Sequence, residues 1–225
     1  MQLSLPFTLS RQVGFGEFVE APGTDAVRTL RADSPAQVLL VGPRGSGKSH
    51  LLASACQQCD QSGQRAAYVP LVDANQFAPE ILFGLNTFDL VCIDDVHAVA
   101  GDPIWEDALF HCYNQCDAGA VRVVFSANGP AHEIGLQLPD LVSRLHAALM
   151  VRSEPLDDDH AVEALKRRAD FAGFEMPESV AKYLLRRLPR DMPTLIRVLD
   201  QLGEHSLAEK RKLTVPAARV WLESE

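Results

Sequence analysis

No stretch of the sequence stays apolar for anything near the ~20 residues that a helix needs to span a bilayer. The N-terminus also lacks the basic-then-apolar layout of a secretory signal. Membrane-embedded and exported proteins are set aside, and a cytoplasmic protein is expected. Positive charge is in the minority: 21 Lys and Arg face 30 Asp and Glu, for a net charge of −9. Such a surface is a poor match for duplex DNA bound through many phosphate contacts, so strong direct DNA binding is not expected and any link to DNA should run through a protein partner. The sequence shows no internal repeat and no low-complexity tract. Its five cysteines, Cys56, Cys59, Cys92, Cys112 and Cys116, are an odd set which, without an export signal, favours reduced thiols. Cys56-Gln57-Gln58-Cys59 has CxxC form but falls where a helix should run; helix packing and zinc or redox chemistry both remain open.

What is present is a phosphate-binding pattern. Val38-Leu39-Leu40-Val41 is an apolar strand that runs into Gly42-Pro43-Arg44-Gly45-Ser46-Gly47-Lys48-Ser49, a GxxxxGKS loop followed by His50. In such a loop, backbone N–H groups cradle phosphates, Lys48 reaches the outer ones and the Ser49 hydroxyl ligates Mg²⁺. Gly42, Gly45 and Gly47 let the main chain curl close to an anion, and the helix expected next adds its positive dipole end. A glycine-rich turn without a ligand is the plainer alternative.

Length and pattern then divide the chain. At 225 residues, a core of about 150 residues with a small appendage is the expected arrangement. Apolar runs at 66–71, 90–93, 121–125 and 147–151, separated by helical or loop stretches, predict an α/β fold with a parallel sheet covered by helices on both faces. Leu51, Leu52 and Ala55, and then Ile104, Ala108 and Leu109, have helical spacing and are expected in the core. From Pro155 onward the pattern is helical. Val162, Leu165, Ala169 and Ala172 mark one helix, with an N-cap among residues 157–159 and a stop at Gly173. A second is marked by Val180, Leu184 and Leu188, a third by Leu195, Leu199 and Leu202, and a short fourth follows Thr214. The expected division is a tail at 1–10, a nucleotide-binding core at 11–154 and a small C-terminal α-helical lid at 155–225.

Further candidates cluster at strand ends. Leu90-Val91-Cys92-Ile93-Asp94-Asp95 closes an apolar strand on two carboxylates. Asp94 is assigned to the Mg²⁺ that Ser49 touches, and Asp95 to orienting water on the γ-phosphate; helix caps are the alternative. Asn128, ending Val123-Val124-Phe125-Ser126-Ala127-Asn128, is placed to sense the γ-phosphate, although Asn128-Gly129-Pro130 is also a turn sequence. Arg144, just before the last core strand, reads either as an arginine finger for a neighbouring subunit or as a surface ion pair.

Taken in order, these elements resemble the AAA+ P-loop ATPases of the bacterial replication-initiator (DnaA) group, and within it the Hda-type regulators. Walker A is 42–49, Walker B is Ile93-Asp94-Asp95, sensor 1 is Asn128 and the arginine-finger box holds Arg144. Other matching segments are Ala100-Gly101-Asp102, Trp105-Glu106, residues 138–145, Phe174-Glu175-Met176-Pro177, Leu199-Asp200-Gln201-Leu202 and Lys210-Arg211-Lys212-Leu213-Thr214. The chain ends shortly after the lid, so the initiator's helix-turn-helix DNA-binding domain is not expected. Gln2-Leu3-Ser4-Leu5-Pro6-Phe7 resembles the peptide by which such regulators dock on the sliding clamp of DNA polymerase III. Its polar Gln2, apolar anchors Leu3, Leu5 and Phe7, and stiffening Pro6 fit an extended docking segment; a tail folded on its own core is the other option.

The resemblance implies a clamp-dependent regulator that promotes hydrolysis of DnaA-bound ATP, with Arg144 entering the initiator's site. Its own ADP or ATP, with Mg²⁺, would set its conformation and oligomeric state, a homo-oligomer being a further partner that the AAA+ arginine finger implies. Phe18 and Val19 match the segment that packs against the base, or are ordinary core residues. Two departures stand out. Pro193 occupies the position of the sensor 2 arginine and cannot donate to a phosphate, and Asp95 is shorter than the usual Walker B glutamate. Both predict slow or absent intrinsic hydrolysis. Competing classes are an autonomous NTPase such as a DnaC-like helicase loader, a small-molecule kinase, and direct DNA binding through Lys166-Arg167-Arg168 and Lys210-Arg211-Lys212, which acids elsewhere in the lid make better candidates for solvated faces.

Overall fold

The computed structural model describes residues 14–32, 37–209 and 212–224. They form two compact units. One comprises 14–15, 23–32, 37–43 and 48–154; the other comprises 16–22, 44–47, 155–209 and 212–224. The docking segment read at Gln2, Leu3, Leu5 and Phe7 lies outside the described residues.

The first unit is built on five parallel strands: β1 (Val38–Val41), β2 (Ala66–Pro70), β3 (Leu90–Asp94), β4 (Arg122–Ala127) and β5 (Leu149–Arg152), in the order β2-β3-β4-β1-β5. Parallel neighbours need crossovers, and these supply the covering helices. They are α2 (Lys48–Gln61), α3 (Pro103–Ala118) and α4 (Pro139–Ala147), after a short α1 (Ala26–Arg31). β1 and β3 are buried at every position, and β4 at all but its first. That is why they read as continuous apolar runs rather than alternating ones. The core of this unit joins Leu39, Val69, Ile93 and Phe125 from the sheet to Trp105, Leu109 and Leu141 from the helices.

Several details in this unit differ from the sequence reading. Leu71 opens a 3₁₀ segment, Leu71–Gln76, instead of extending β2, and Ala147 closes α4, so β5 starts at Leu149. Ile104, placed in the core by its spacing, is 69% exposed. It lies in the first turn of α3, where Asp102 caps the Ile104 and Trp105 N–H groups, and the inward face begins with Trp105.

The second unit holds α5 (Asp158–Phe171), α6 (Glu178–Arg187), α7 (Met192–Glu209) and α8 (Val215–Ser224). Leu165, Val180, Leu184, Leu195, Leu199 and Leu202 form its core. Asp157 caps α5 through the His160 N–H, and Asp191 caps α7 through the Thr194 N–H at 2.9 Å. Ala172, grouped with the apolar face by its spacing, is the exposed C-cap of α5 instead. No helix among the described residues is long and apolar enough to cross a membrane.

Candidate functional site

The sheet order places β1 between β4 and β5, with β3 on the far side of β4. The carboxyl ends of β1, β3 and β4 therefore carry the phosphate loop, the acid pair and Asn128 side by side. Gly42 at the loop entrance donates its N–H to Ala127 O at 3.2 Å, one residue before Asn128. Asn128 itself is exposed. Beyond Pro43 the loop turns through two left-handed residues, Gly45 at φ +83° and Gly47 at φ +90°, a conformation that a side chain disfavours. Gly47 has a second reason to be glycine, since a Cβ there would lie 2.5 Å from the Phe18 ring.

Lys48 begins α2 and is 6% exposed. Its ammonium donates to Gly42 O at 2.8 Å and Pro43 O at 3.1 Å, which curls the loop back over its own first residues. Burial lowers the Lys48 pKa, while the charges of Asp95 and Asp94 pull it up. Ser49, next on α2, is exposed, and the His50 ring Nε2 lies 3.2 Å from Gly14 O.

Asp94 ends β3 with 3% exposure. Its Oδ2 accepts from the Tyr68 hydroxyl at 2.7 Å, and its Oδ1 accepts from the Ser126 hydroxyl. Burial first, and then the neighbouring Asp94, push the Tyr68 phenol well above its ordinary value, so it stays a donor. Asp95 follows in the left-handed region at φ 58°, its N–H bonded to Ser126 Oγ at 2.8 Å. This sharp turn parts the two acids: Asp94 is drawn into the sheet, while Asp95 has His97 Nδ1 3.9 Å from its carboxylate.

The residues present fit a Mg²⁺-nucleotide. Mg²⁺ usually takes one or two protein oxygens and otherwise binds phosphates and water, and the Ser49 hydroxyl and Asp94 carboxylate are oxygens of the kind it takes. The loop has left-handed glycines where phosphate must approach the backbone, and its lysine has buried charge to neutralise.

In the second unit, Phe18 places its ring on Gly47 and its carbonyl accepts from Arg167 at 3.1 Å, while Val19 is buried. Of the two residues read as base-pocket candidates, Phe18 thus lies against the phosphate loop at Gly47, while Val19 is a buried neighbour in sequence. A cavity of about 330 Å³ there is lined by Arg44, Gly45, Asp157, Arg190 and Asp191, among others. Pro193 Cδ would lie 3.7 Å from a Cβ on Gly45. Arg190 is paired with Asp158 at 3.2 Å. Backbone N–H donation from Thr194 is the main cause holding Asp191 below the usual carboxylate range. Lys166-Arg167-Arg168 does not form a free basic patch: Arg167 pairs with Glu163, and Arg168 with Glu17 at 3.2 Å and Asp200 at 2.9 Å. Lys210 and Arg211 lie outside the described residues.

Arg144 sits exposed in the last turn of α4, its guanidinium 5.7 Å from the centre of the Tyr113 ring. Tyr113 in turn stacks on Phe125 of β4. Of the two options for Arg144, a surface ion pair or a cation held for a partner, the described contact is aromatic. The entry to α4 is held by Glu106, a residue with 1% exposure whose carboxylate accepts from the N–H groups of Gly101, Gln137 and Leu138.

Tyr68, Ser126 and Glu106 were not identified from sequence. Ser126 belongs to the polar end of β4, a usable signal. Tyr68 carries none, and Glu106 is marked only by the resemblance at Trp105-Glu106, because the partners that make them polar anchors come from other elements. The CxxC cysteines both pack inside α2, and burial is the first cause pushing the Cys59 thiol up to about 11, away from the thiolate that redox or zinc chemistry needs.

Comparison with known proteins places this geometry. The bacterial DnaA ATPase domain family matches residues 9–152, and the Hda lid domain family matches 157–222. Domain III of the Thermotoga maritima replication initiation protein DnaA superposes with a TM-score of 0.80 at 20% identity, covering 94% of this chain and 95% of that one. AMPPCP-bound DnaA from Aquifex aeolicus gives 0.60 at 22% identity, over 82% of this chain and 63% of that one. The RuvB Holliday junction branch migration motor of Thermotoga maritima gives 0.62 at 16% identity, over 84% and 61%. At such identities the structural likeness is one of fold, and the chain spans about three fifths of the longer DnaA and RuvB chains. The fold is that of an AAA+ P-loop ATPase core with a helical lid. With the family match extending over residues 9–152 and the lid match over 157–222, this chain belongs to the bacterial DnaA ATPase-domain family and carries a lid of the Hda kind.

Proposed function

We propose that this chain is a regulator of replication initiation that promotes hydrolysis of the ATP held by the DnaA initiator, acting when recruited to a DNA-loaded sliding clamp. The observation that carries the reading is the lid of the Hda kind joined to a DnaA-type ATPase core. Recruitment is assigned to Gln2, Leu3, Leu5 and Phe7. The proposed division remains a tail at 1–10, a core at 11–154 and a lid at 155–225, in a cytoplasmic protein that also associates with copies of itself.

The chain's own nucleotide supplies a phosphate anion and, with Mg²⁺, a point around which the loop orders. Gly42, Pro43, Arg44, Gly45, Ser46 and Gly47 wrap the phosphates, while Lys48 and Ser49 meet the outer oxygens and the cation and His50 flanks them. Asp94 faces the same cation, Asp95 and Asn128 are assigned to the γ-phosphate side, and Phe18 and Val19 to the base. An AMPPCP-bound relative supports adenine nucleotide as the ligand class. Pro193 offers no donor at the sensor 2 position, which supports slow turnover by this chain alone. Arg144 is the group given to the partner. A guanidinium brought beside a transferring phosphoryl group offsets charge that develops there, and such a residue raises the rate by ~10³ or more. Its exposure supports the reading, since a guanidinium given to a partner must be reachable from outside.

The test is hydrolysis of ATP preloaded on purified DnaA, with this protein and clamp loaded on DNA. Hydrolysis that needs both is expected. No stimulation, together with turnover by this chain alone, would replace the regulator with an autonomous NTPase or DnaC-like helicase loader.

A further inference from the structure

Two hydroxyls converge on one buried carboxylate. Asp94 Oδ2 accepts from Tyr68 Oη at 2.7 Å and Oδ1 accepts from Ser126 Oγ, whose residue is fully buried. Ser126 Oγ also accepts the Asp95 N–H at 2.8 Å. A hydroxyl has one proton to give; with a donor already on its oxygen, the Ser126 proton is committed to Asp94, and the direction of the chain Asp95 N–H to Ser126 to Asp94 is set. Tyr68 stands on β2, Asp94 on β3 and Ser126 on β4, three adjacent strands whose register pairs Pro70 with Asp94 and Ile93 with Phe125. The carboxylate is thus gripped from both sides of its own strand.

Each carboxylate oxygen has two acceptor positions. One bond to each from the sheet leaves the other pair for a cation or its water, and removes the rotation that would otherwise blur their direction. We propose that Tyr68, together with Ser126, is a positioning residue for the Mg²⁺ that accompanies the nucleotide, acting through the orientation of Asp94. The proposal rests on reading this loop as a Mg²⁺-nucleotide site and does not depend on any action upon DnaA. Partners that orient a metal ligand typically govern metal affinity by about 10- to 100-fold.

The experiment is a titration of the full chain with a fluorescent ADP analogue, in EDTA and in Mg²⁺, alongside Mn²⁺ binding in the presence of ADP followed by electron paramagnetic resonance. For Tyr68→Phe, the affinity in EDTA should stay within about twofold of wild type, while the gain from Mg²⁺ and the affinity for Mn²⁺ fall about tenfold. Ser126→Ala should act in the same direction, and carries the test if Tyr68→Phe is shown by circular dichroism not to fold. An unchanged Mg²⁺ gain in a folded variant, or equal losses with and without Mg²⁺, overturns the proposal. A wild-type chain that binds ADP with no gain from Mg²⁺ overturns it alone; one that binds no ADP removes the nucleotide reading as well.

Discussion

Lys48 pits stability against binding within one residue. Its burial lowers the pKa in the folded state against the attraction of Asp95 and Asp94. Between that lowered value and the ordinary lysine value, the unfolded chain binds more protons, so this group's contribution to stability rises with pH across that window. Below that window the lysine is charged in both states and its desolvation cost is fully present. Lys48→Met is therefore expected to raise the urea midpoint of the ligand-free protein at pH 7, by a margin that shrinks as pH climbs through the lysine range. The same variant should bind nucleotide about 10- to 100-fold more weakly, the worth of hydrogen bonds to a charged group. A lowered midpoint at pH 7 would show that the bonds to Gly42 O and Pro43 O outweigh the burial. The tight turn of the loop was legible in the sequence because glycines at 45 and 47 suit the left-handed backbone found there. Tyr68 was not, because its meaning depends on which strand lies beside it.

At the scale of elements, two residues decide local packing. Glu106 on α3 satisfies the N–H groups of Gly101, Gln137 and Leu138, the last just before α4. Glu106→Ala removes the acceptor from three backbone donors, and a loss of about 3 kcal/mol or more is expected in urea unfolding, since each stranded donor costs about 1–3 kcal/mol. Glu106→Gln, which keeps one oxygen, should lose less; equal stability of all three proteins would count against the clamp. Gly203, inside α7, gives an opposed pair of effects. Alanine is the better helix former by about 0.8–1.0 kcal/mol, but its Cβ would stand 2.2 Å from the Phe174 ring. Overpacking of that kind costs about 1–3 kcal/mol, so Gly203→Ala is expected to lower the denaturation midpoint. A rise would mean that Phe174 moves aside freely. The helices and strands themselves were mostly legible, from Pro177 opening α6 to the apolar run of β3. Errors fell at ends: Ile104 and Ala172 have core spacing yet lie in first and last turns, where capping rather than periodicity sets what faces inward.

For the whole molecule, the regulator reading makes two expectations that separate its parts. Arg144→Ala should leave nucleotide affinity and clamp binding unchanged while reducing stimulation of DnaA-bound ATP hydrolysis by ~10³-fold, measured by phosphate release; equal stimulation would sink the proposed role. Removal of residues 1–7 should abolish clamp binding in a pull-down with loaded clamp and spare nucleotide binding, and a truncated chain that still binds clamp would place the docking surface elsewhere. The sequence by itself determined the architecture and the place of the loop between β1 and α2. Apolar runs at strand spacing, caps at helix starts and the GxxxxGKS pattern are local properties that need no partner to be read. Only the tertiary structure decided which groups Asp94 is bound to, what holds the start of α4, and where Arg144 rests, since each depends on residues tens of positions apart. Parallel strands separated by long crossovers meet only when the sheet assembles, and a hydrogen bond across three of them leaves no periodic trace in the chain.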